Sequence, residues 1–432
     1  MKNYLIFAMV LCAAVAFAAP VAEEQEGPVQ VGLWGAADRP MFPDNPDSIG
    51  LYADFLLGDI DTDIIFYAPG ESGADHPIKL EVAAGTQPDV YLDYMGRTSI
   101  FANGRYAHDI LPLVGQEVLD QYIPSFLGLM NKGGVQYGLP ETAWISTMIV
   151  NTTLLEKVGM MDVIADGSWT IAEFVEASRR VTELGDDYYG YVMFSASTGG
   201  DYWYLGFIPG FGANLYANNQ IALNTPEGLA AMQFYQDFVD EGLGPPGAAA
   251  LSYAEFIEAY SSGKILATAS APSKAGDPVG QAAFDAGSAD EAFTAAVMPF
   301  PTAPGVDHAP LALGPDGVMM FNKGYTPSQA AVDVFLALTG YRSQAFRSKQ
   351  DSRFSSLKAL SDARPSDPLF MVGAEILARE GAWDMGVGLK TYGPVRQLVP
   401  PMFQAIFTHE LTVEEAVARF ETEGNEILSR ED

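Results

Sequence analysis

The chain reads as an α/β protein of two lobes, on two observations. Its 432 residues are too many for a single ordinary hydrophobic core. Short apolar runs also alternate with amphipathic helical ones, most clearly between Lys132 and Leu184. Ile145 to Val150 is short, apolar and partly β-branched, so it reads as a buried strand. Asn151 stops it and can cap a helix beginning Thr152-Thr-Leu-Leu, which Gly159 closes. A second helix opens at Trp169-Thr170. Thr170 and Glu173 have capping-box spacing, and Ile171, Phe174, Val175, Ser178, Val181 and Leu184 share one face.

Taken in order, the chain starts Met1-Lys-Asn-Tyr-Leu-Ile-Phe-Ala, one positive charge ahead of a short apolar core with small residues at its end. This is the pattern of a secretory signal over residues 1–18, with Ala16-Phe-Ala18 as the cleavage site. The apolar run is shorter than the roughly 20 residues that a spanning helix needs. The one cysteine, Cys12, lies inside it. Lipidation there is the alternative, although Leu11 is bulky where lipoprotein signals prefer a small residue. Without Cys12, neither disulfides nor thiolate metal sites are available. A formal charge of −32 argues against nucleic acid and anionic membranes as partners. It suits an exported soluble protein; attraction of a cationic solute such as a polyamine is the second reading.

Val29, Val31 and Leu33 alternate with Gln30, Gly32 and Trp34, a first strand that delivers Trp34 into a loop containing Asp38. Ligands gather at such carboxyl ends of strands in open α/β sheets. Asp59-Ile-Asp61-Thr-Asp63 starts like a calcium loop. It has Ile64 at the sixth position and Gly70 at the twelfth, so it is excluded. Ile64 to Tyr67 is the second strand, and Leu113 to Leu129 is helical with a break near Pro124. Gly210-Phe-Gly212 lacks the third glycine of a dinucleotide fingerprint. Asn224-Thr225-Pro226 opens a helix that Gly242 closes. Val318 to Phe321 is a further strand. Thr326 and Gln329 have capping-box spacing before a helix through Leu338, and Thr412 and Glu415 open the terminal amphipathic helix.

Tyr137-Gly-Leu-Pro140, Val150-Asn151, Val158-Gly159 and Trp169-Thr-Ile-Ala-Glu-Phe174 fall in a telling order and spacing. The pattern resembles the extracellular solute-binding proteins that feed bacterial ABC importers, in the group carrying sugars and oligosaccharides. Pro88-Asp89-Val90-Tyr-Leu-Asp93, Tyr189 to Phe194, Leu229 to Leu243, Tyr253 to Ile265 and Val297 to Pro301 resemble the same family. The likeness spans nearly the whole chain after the leader, with Asn45 to Asp63 least typical. It departs at Ala269-Ser-Ala-Pro272, where sugar-binding members often carry a Gly-x-Trp; one expected stacking ring is thereby removed. The resemblance implies the two-lobed periplasmic-binding-protein fold of type II, mixed sheets flanked by helices, with crossovers near Ala143, Met298 and Ser361. Lobe one then takes residues 29–142 and 299–360, and lobe two 143–298 and 361–432. It also implies a carbohydrate captured between the lobes and delivered to permease subunits of an ABC transporter, by a monomer without cofactor or metal.

Sugar recognition needs flat apolar surfaces for ring faces and charged, often bidentate partners for hydroxyls. Trp34, Trp144, Trp203 and Trp383 lie at strand ends or in crossover loops beside Asp38, Glu141, Asp201 and Asp384. Core packing is the alternative for any one of them, and Trp169, at a helix start, is read as structural. The family pattern adds Asp93, Arg97, Tyr202, Asp316, Arg353, Tyr392 and Arg396 as ligand-facing. Enzymatic readings find less support. His76, His108, His308 and His409 are scattered. Neither a Gly-x-Ser-x-Gly elbow nor a Gly-Lys-Ser/Thr phosphate loop occurs. A facing carboxylate pair, as in a glycoside hydrolase, stays open among 55 acidic residues. Three classes therefore remain: a sugar binder, which is favoured, a cationic-solute binder, and a secreted carbohydrate-active enzyme.

Overall fold

The computed structural model describes residues 29–34, 56–67, 77–102, 105–196, 201–218, 220–272, 275, 277–350, 353–361, 368–383, 385–387 and 391–430. The larger of the two main sheets begins with β1 (Val29–Trp34), β2 (Thr62–Tyr67), β3 (Val90–Tyr94) and β4 (Gly138–Ile145), and two further sheets among the described residues are two-stranded ribbons. β5 (Thr147–Asn151), β6 (Ala267–Ser270) and β7 (Ala295–Met298) make the smaller one. β8 (Leu311–Met320), β9 (Phe354–Ser355) and β10 (Ala382–Trp383) return to the larger sheet. Its order is β9-β4-β8-β3-β1-β2, with β10 beside β8. β1 runs parallel to β2 and β3, while β8 is antiparallel to β3 and β4, so the sheet is mixed. In the smaller sheet β5 lies between β6 and β7, antiparallel to both.

The helices that position the site are α1 (Met95–Thr98), α2 (Thr152–Lys157), α3 (Ile171–Thr182), α4 (Asp201–Tyr204) and α5 (Pro226–Asp240). They are followed by α6 (Gln329–Thr339), α7 (Tyr341–Gln350), α8 (Pro368–Glu380), α9 (Tyr392–Arg396) and α10 (Val413–Leu428). Alternation along β3 explains the layering. Val90 and Leu92 face a core shared with Val31, Leu33, Val318, Phe335 and Leu338. Tyr91 faces the other way, into a cluster that continues through Ile145 to Phe174 and Tyr191 of the second lobe.

Several helix starts follow the sequence signals. Asn151 accepts the Leu154 N–H at 3.1 Å, and capping boxes form at Thr170–Glu173 and Thr412–Glu415. Thr225 caps α5 ahead of Pro226. α6 differs: Ser328, not Thr326, is its cap, because the amide of Gln329 bonds Asp333 (2.9 Å) instead of closing a box. The helix expected over Leu113 to Leu129 is three short ones, Leu111–Val114, Gln116–Leu119 and Pro124–Gly128. Gly115 separates the first two at φ +81, a conformation that only glycine adopts readily. Tyr189 to Phe194 forms no strand. Tyr189 makes one isolated bridge to Ile265, and the Gly190 N–H then turns away to Leu243 O at 2.7 Å. The strand expected from Val318 is β8, ten residues long, with a bulge at Pro315/Gly317 where proline has no N–H for the ladder.

The chain passes between the sheets at Ser146, the one residue separating β4 from β5 and close to Ala143. After β7 it does not return at once. The Trp169 indole donates to Pro299 O (2.9 Å), Thr170 bridges Thr302, and the Ala303 N–H bonds Gly210 O. Residues 299–310 therefore stay with the second lobe, and Leu311 is the first back in the larger sheet. The third crossover was expected near Ser361, and residues 362–367, which follow it, lie outside the described residues. α8 then packs near β7, but Ala382-Trp383, expected in lobe two, pair with Leu311-Ala312 of the larger sheet.

The charge of −32 makes salt a test of what limits stability. Self-repulsion across the molecule weakens as the Debye length falls from more than 10 Å at low salt to about 3 Å at 1 M. Exposed pairs such as Arg179–Glu241 (2.7 Å) are weakened too, but each contributes at most about 1 kcal/mol. The melting temperature is therefore expected to rise by several degrees with added sodium chloride. A fall in differential scanning fluorimetry would mean that the ion pairs outweigh the repulsion.

Candidate functional site

α4, which carries Tyr202 and Trp203, is only four residues long, and so short a helix satisfies few of its own carbonyls. Three hydroxyls serve them. Ser146 Oγ donates to Tyr202 O (3.2 Å), the Tyr191 hydroxyl to Trp203 O (3.1 Å), and the Tyr235 hydroxyl to Tyr204 O. Complete burial pushes the Tyr191 and Tyr235 phenols well above their ordinary range, the direction that favours the donating form. Ser146 is also the crossover residue, and its N–H bonds Ala312 O at 3.0 Å. The turn bearing the two rings is thus tied directly to the crossover.

Trp144, at the end of β4, meets Trp203 at 4.6 Å between centroids and Tyr202 edge-on at 5.2 Å. Tyr202 in turn meets Tyr94 of β3 edge-on at 5.1 Å. The Tyr94 hydroxyl bonds that of Tyr392 at 3.1 Å, and the Tyr392 and Tyr202 hydroxyls bond each other. The Arg396 guanidinium lies over all three tyrosine rings, at 5.9 Å from Tyr94, 5.5 Å from Tyr202 and 5.9 Å from Tyr392. Such contacts contribute about 0.5–2 kcal/mol each when desolvated. Tyr94 and Trp144 come from the larger sheet; Tyr202, Trp203, Tyr392 and Arg396 come from helices on the other side. The cluster therefore spans the lobes. Trp144 is half-buried, whereas Tyr202 and Tyr392 are each 3 % exposed. Glycine makes room for the rings: a Cβ on Gly314 would overlap the Trp144 indole, and one on Gly96 would overlap Tyr392 and Tyr94.

Five of the sequence-selected residues, Trp144, Tyr202, Trp203, Tyr392 and Arg396, are thus brought together. The others are placed differently. Trp34 ends β1 edge-on to Tyr91 (6.5 Å), among rings that include Phe101 and Phe321. Asp93 accepts from the Tyr91 hydroxyl (2.8 Å), the Tyr94 N–H (2.7 Å) and Arg97 (3.2 Å). Glu141 is fully buried with Arg347 at 3.6 Å, an ion pair rather than a hydrogen bond. Asp316, at the β8 bulge, pairs with Arg353. Trp383 is buried in β10. Asp38 and Asp384 lie outside the described residues, as does the side chain of Asp201. Trp169 is core: it is 3 % exposed, bonded to Pro299 O and edge-on to Phe174 at 5.3 Å. Tyr94, Gly314, Gly96 and Ser146 are the members that the sequence patterns did not select. An aromatic residue closing a central strand was the one available signal, for Tyr94.

Two α/β lobes with facing rings between them define the two-lobed periplasmic-binding-protein fold. The chain belongs to the bacterial extracellular solute-binding protein family, whose model matches residues 59–341. That is a family of binding proteins acting outside the cytoplasm. Among solved structures, the GacH receptor of Streptomyces glaucescens, studied unliganded and with acarbose, has a TM-score of 0.75 at 18% identity, covering 94% of this chain and 99% of its own. An ABC transporter solute-binding protein of Thermotoga lettingae, bound with α-D-tagatose, has 0.74 at 18% identity over 93% and 100%. The maltose-bound MalE3 of T. maritima has 0.70 at 18% over 92% and 99%. Comparison with curated protein sequences returns no match.

Proposed function

We propose that this protein is the extracytoplasmic receptor of an ABC importer, closing on a mono- or oligosaccharide and delivering it to the membrane permease. The observation that carries the reading is the interlobe ring cluster. Trp144 keeps a partly open ring beside Trp203, and in this reading the Tyr94, Tyr202 and Tyr392 hydroxyls and the Arg396 guanidinium, buried against one another here, turn to the ligand as polar partners when the lobes part. That combination suits a ring with one apolar face and a hydroxylated rim. The solved relatives with acarbose, tagatose and maltose support the ligand class. Glu141 and Asp316 take a different role in this reading, paired inside lobe one rather than facing ligand. Residues 1–18 serve as the export signal, the exported monomer starts near Ala19, and ligand is bound without being consumed.

A thermal-shift screen against sugars, polyamines and metal salts tests the reading, since a ligand binding only the folded state raises its stability. The expected result is a shift with a sugar, which chromatography then recovers unchanged after incubation. A shift with polyamines alone would make the acidic chain a cationic-solute receptor. Multiple turnovers of the sugar would make it an enzyme.

A further inference from the structure

The two lobes meet not only through rings but along a line where side chains are missing. α1 and the turn after it, Ser99–Phe101, lie against the larger sheet. α9 rests on α10, with Val395 against Gly424, and Asn425 of α10 bonds Ile221 N (2.8 Å) and O (3.3 Å) in the second lobe. Where α1 and its following turn face α9, each side presents a glycine. Gly96 receives the Tyr392 ring, and Gly393 receives Ile100; a Cβ on Gly393 would lie 2.8 Å from Ile100 Cδ1 and 3.1 Å from its Cγ1. Real Cβ atoms do not approach so closely, so either the side chain or the helix would have to move. The crowded atoms are the outer carbons of the partly buried Ile100, so the side chain takes up part of the displacement and the helices the rest, and here the helices belong to different lobes.

We propose that Gly96 and Gly393 form the seam that sets how far the lobes close, acting as positioning residues that touch no ligand. The proposal rests on the sugar-receptor reading for its functional meaning. A ligand held by both lobes makes all its contacts only when they are shut. Any side chain added at the seam therefore lowers affinity by holding Tyr94 and Trp144 away from Tyr202, Trp203 and Tyr392. Neither glycine has a positive φ, so conformational freedom does not explain them; close approach does. Gly393 is helical, and alanine there is otherwise the better helix former.

The test compares ligand-free wild type, Gly393→Ala and Gly393→Ala/Ile100→Ala by small-angle scattering, far-UV circular dichroism and thermal melting. Gly393→Ala is expected to keep its dichroism and cooperative melt but show a larger radius of gyration. Removing Cγ1 and Cδ1 of Ile100 should return the double variant to the wild-type value. With a sugar from the screen, Gly393→Ala should bind about tenfold more weakly, about 1.4 kcal/mol, and the double variant should recover. An unchanged radius overturns the proposal, as does an increase that Ile100→Ala fails to reverse. Loss of the cooperative melt overturns it too, because a seam between lobes gapes without unfolding either one. Scattering is read without ligand, so a failed sugar screen leaves this comparison decisive, and a failed seam leaves the ligand class standing.

Discussion

Trp144→Ala is expected to weaken sugar binding by at least about tenfold, and Trp203→Ala by a similar factor, while Trp169→Ala leaves affinity unchanged. The half-buried Trp144 ring lies 4.6 Å from Trp203 between the lobes. Aromatic contacts add about 0.5–1.5 kcal/mol beyond area burial, and loss of the buried ring area adds to that. Together they exceed the roughly 1.4 kcal/mol of one decade in affinity. Trp169 differs in kind. It is buried against Phe174 with its indole bonded to Pro299 O, so its removal leaves a cavity and an unserved carbonyl. Truncations of this type lower stability by about 3–5 kcal/mol. Calorimetry of binding and urea unfolding separate the two effects. Unchanged affinity in both cleft variants, with binding lost in Trp169→Ala, would reverse the assignment.

Much of the fold was legible because its signals are local. Asn151, Thr170, Thr225 and Thr412 cap helices through bonds that span three residues, and the alternation of β1 and the apolar run of β5 are short-range patterns. The elements misjudged are those that tertiary contacts decide. Tyr189 to Phe194 looks like a strand but has its Gly190 N–H drawn to Leu243, and residues 299–310 stay with the second lobe because Trp169 and Gly210 hold them. The site was legible in residue type and not in geometry. Counting carboxylates beside tryptophans picked out Trp144 and Trp203, yet also Glu141, whose partner Arg347 is distant in sequence and invisible to spacing. No pattern marks Ser146 or the seam glycines, since their role depends on what faces them across the lobes.

Gly314→Ala is expected to damage binding as severely as removing the Trp144 ring, although Gly314 offers a ligand no side chain. Gly314 and Trp144 are cross-strand partners in the β8–β4 ladder, and the indole folds over the space that a Cβ on Gly314 would fill. A glycine inside a strand commonly marks such a close approach. With alanine there, the indole must swing away, and Trp203 and Tyr202 already lie against it. Overpacking of this kind lowers stability by about 1–3 kcal/mol, and the platform for the ligand is displaced as well. Affinity should fall by about tenfold or more, with a shift in tryptophan emission as the ring moves. Gly314→Ala/Trp144→Leu separates the two consequences. The smaller side chain relieves the crowding, so thermal stability should return most of the way to wild type, while affinity stays low because the ring is gone. If Gly314→Ala binds sugar and fluoresces as wild type does, the indole does not depend on this seat, and the geometry assigned to Trp144 is wrong.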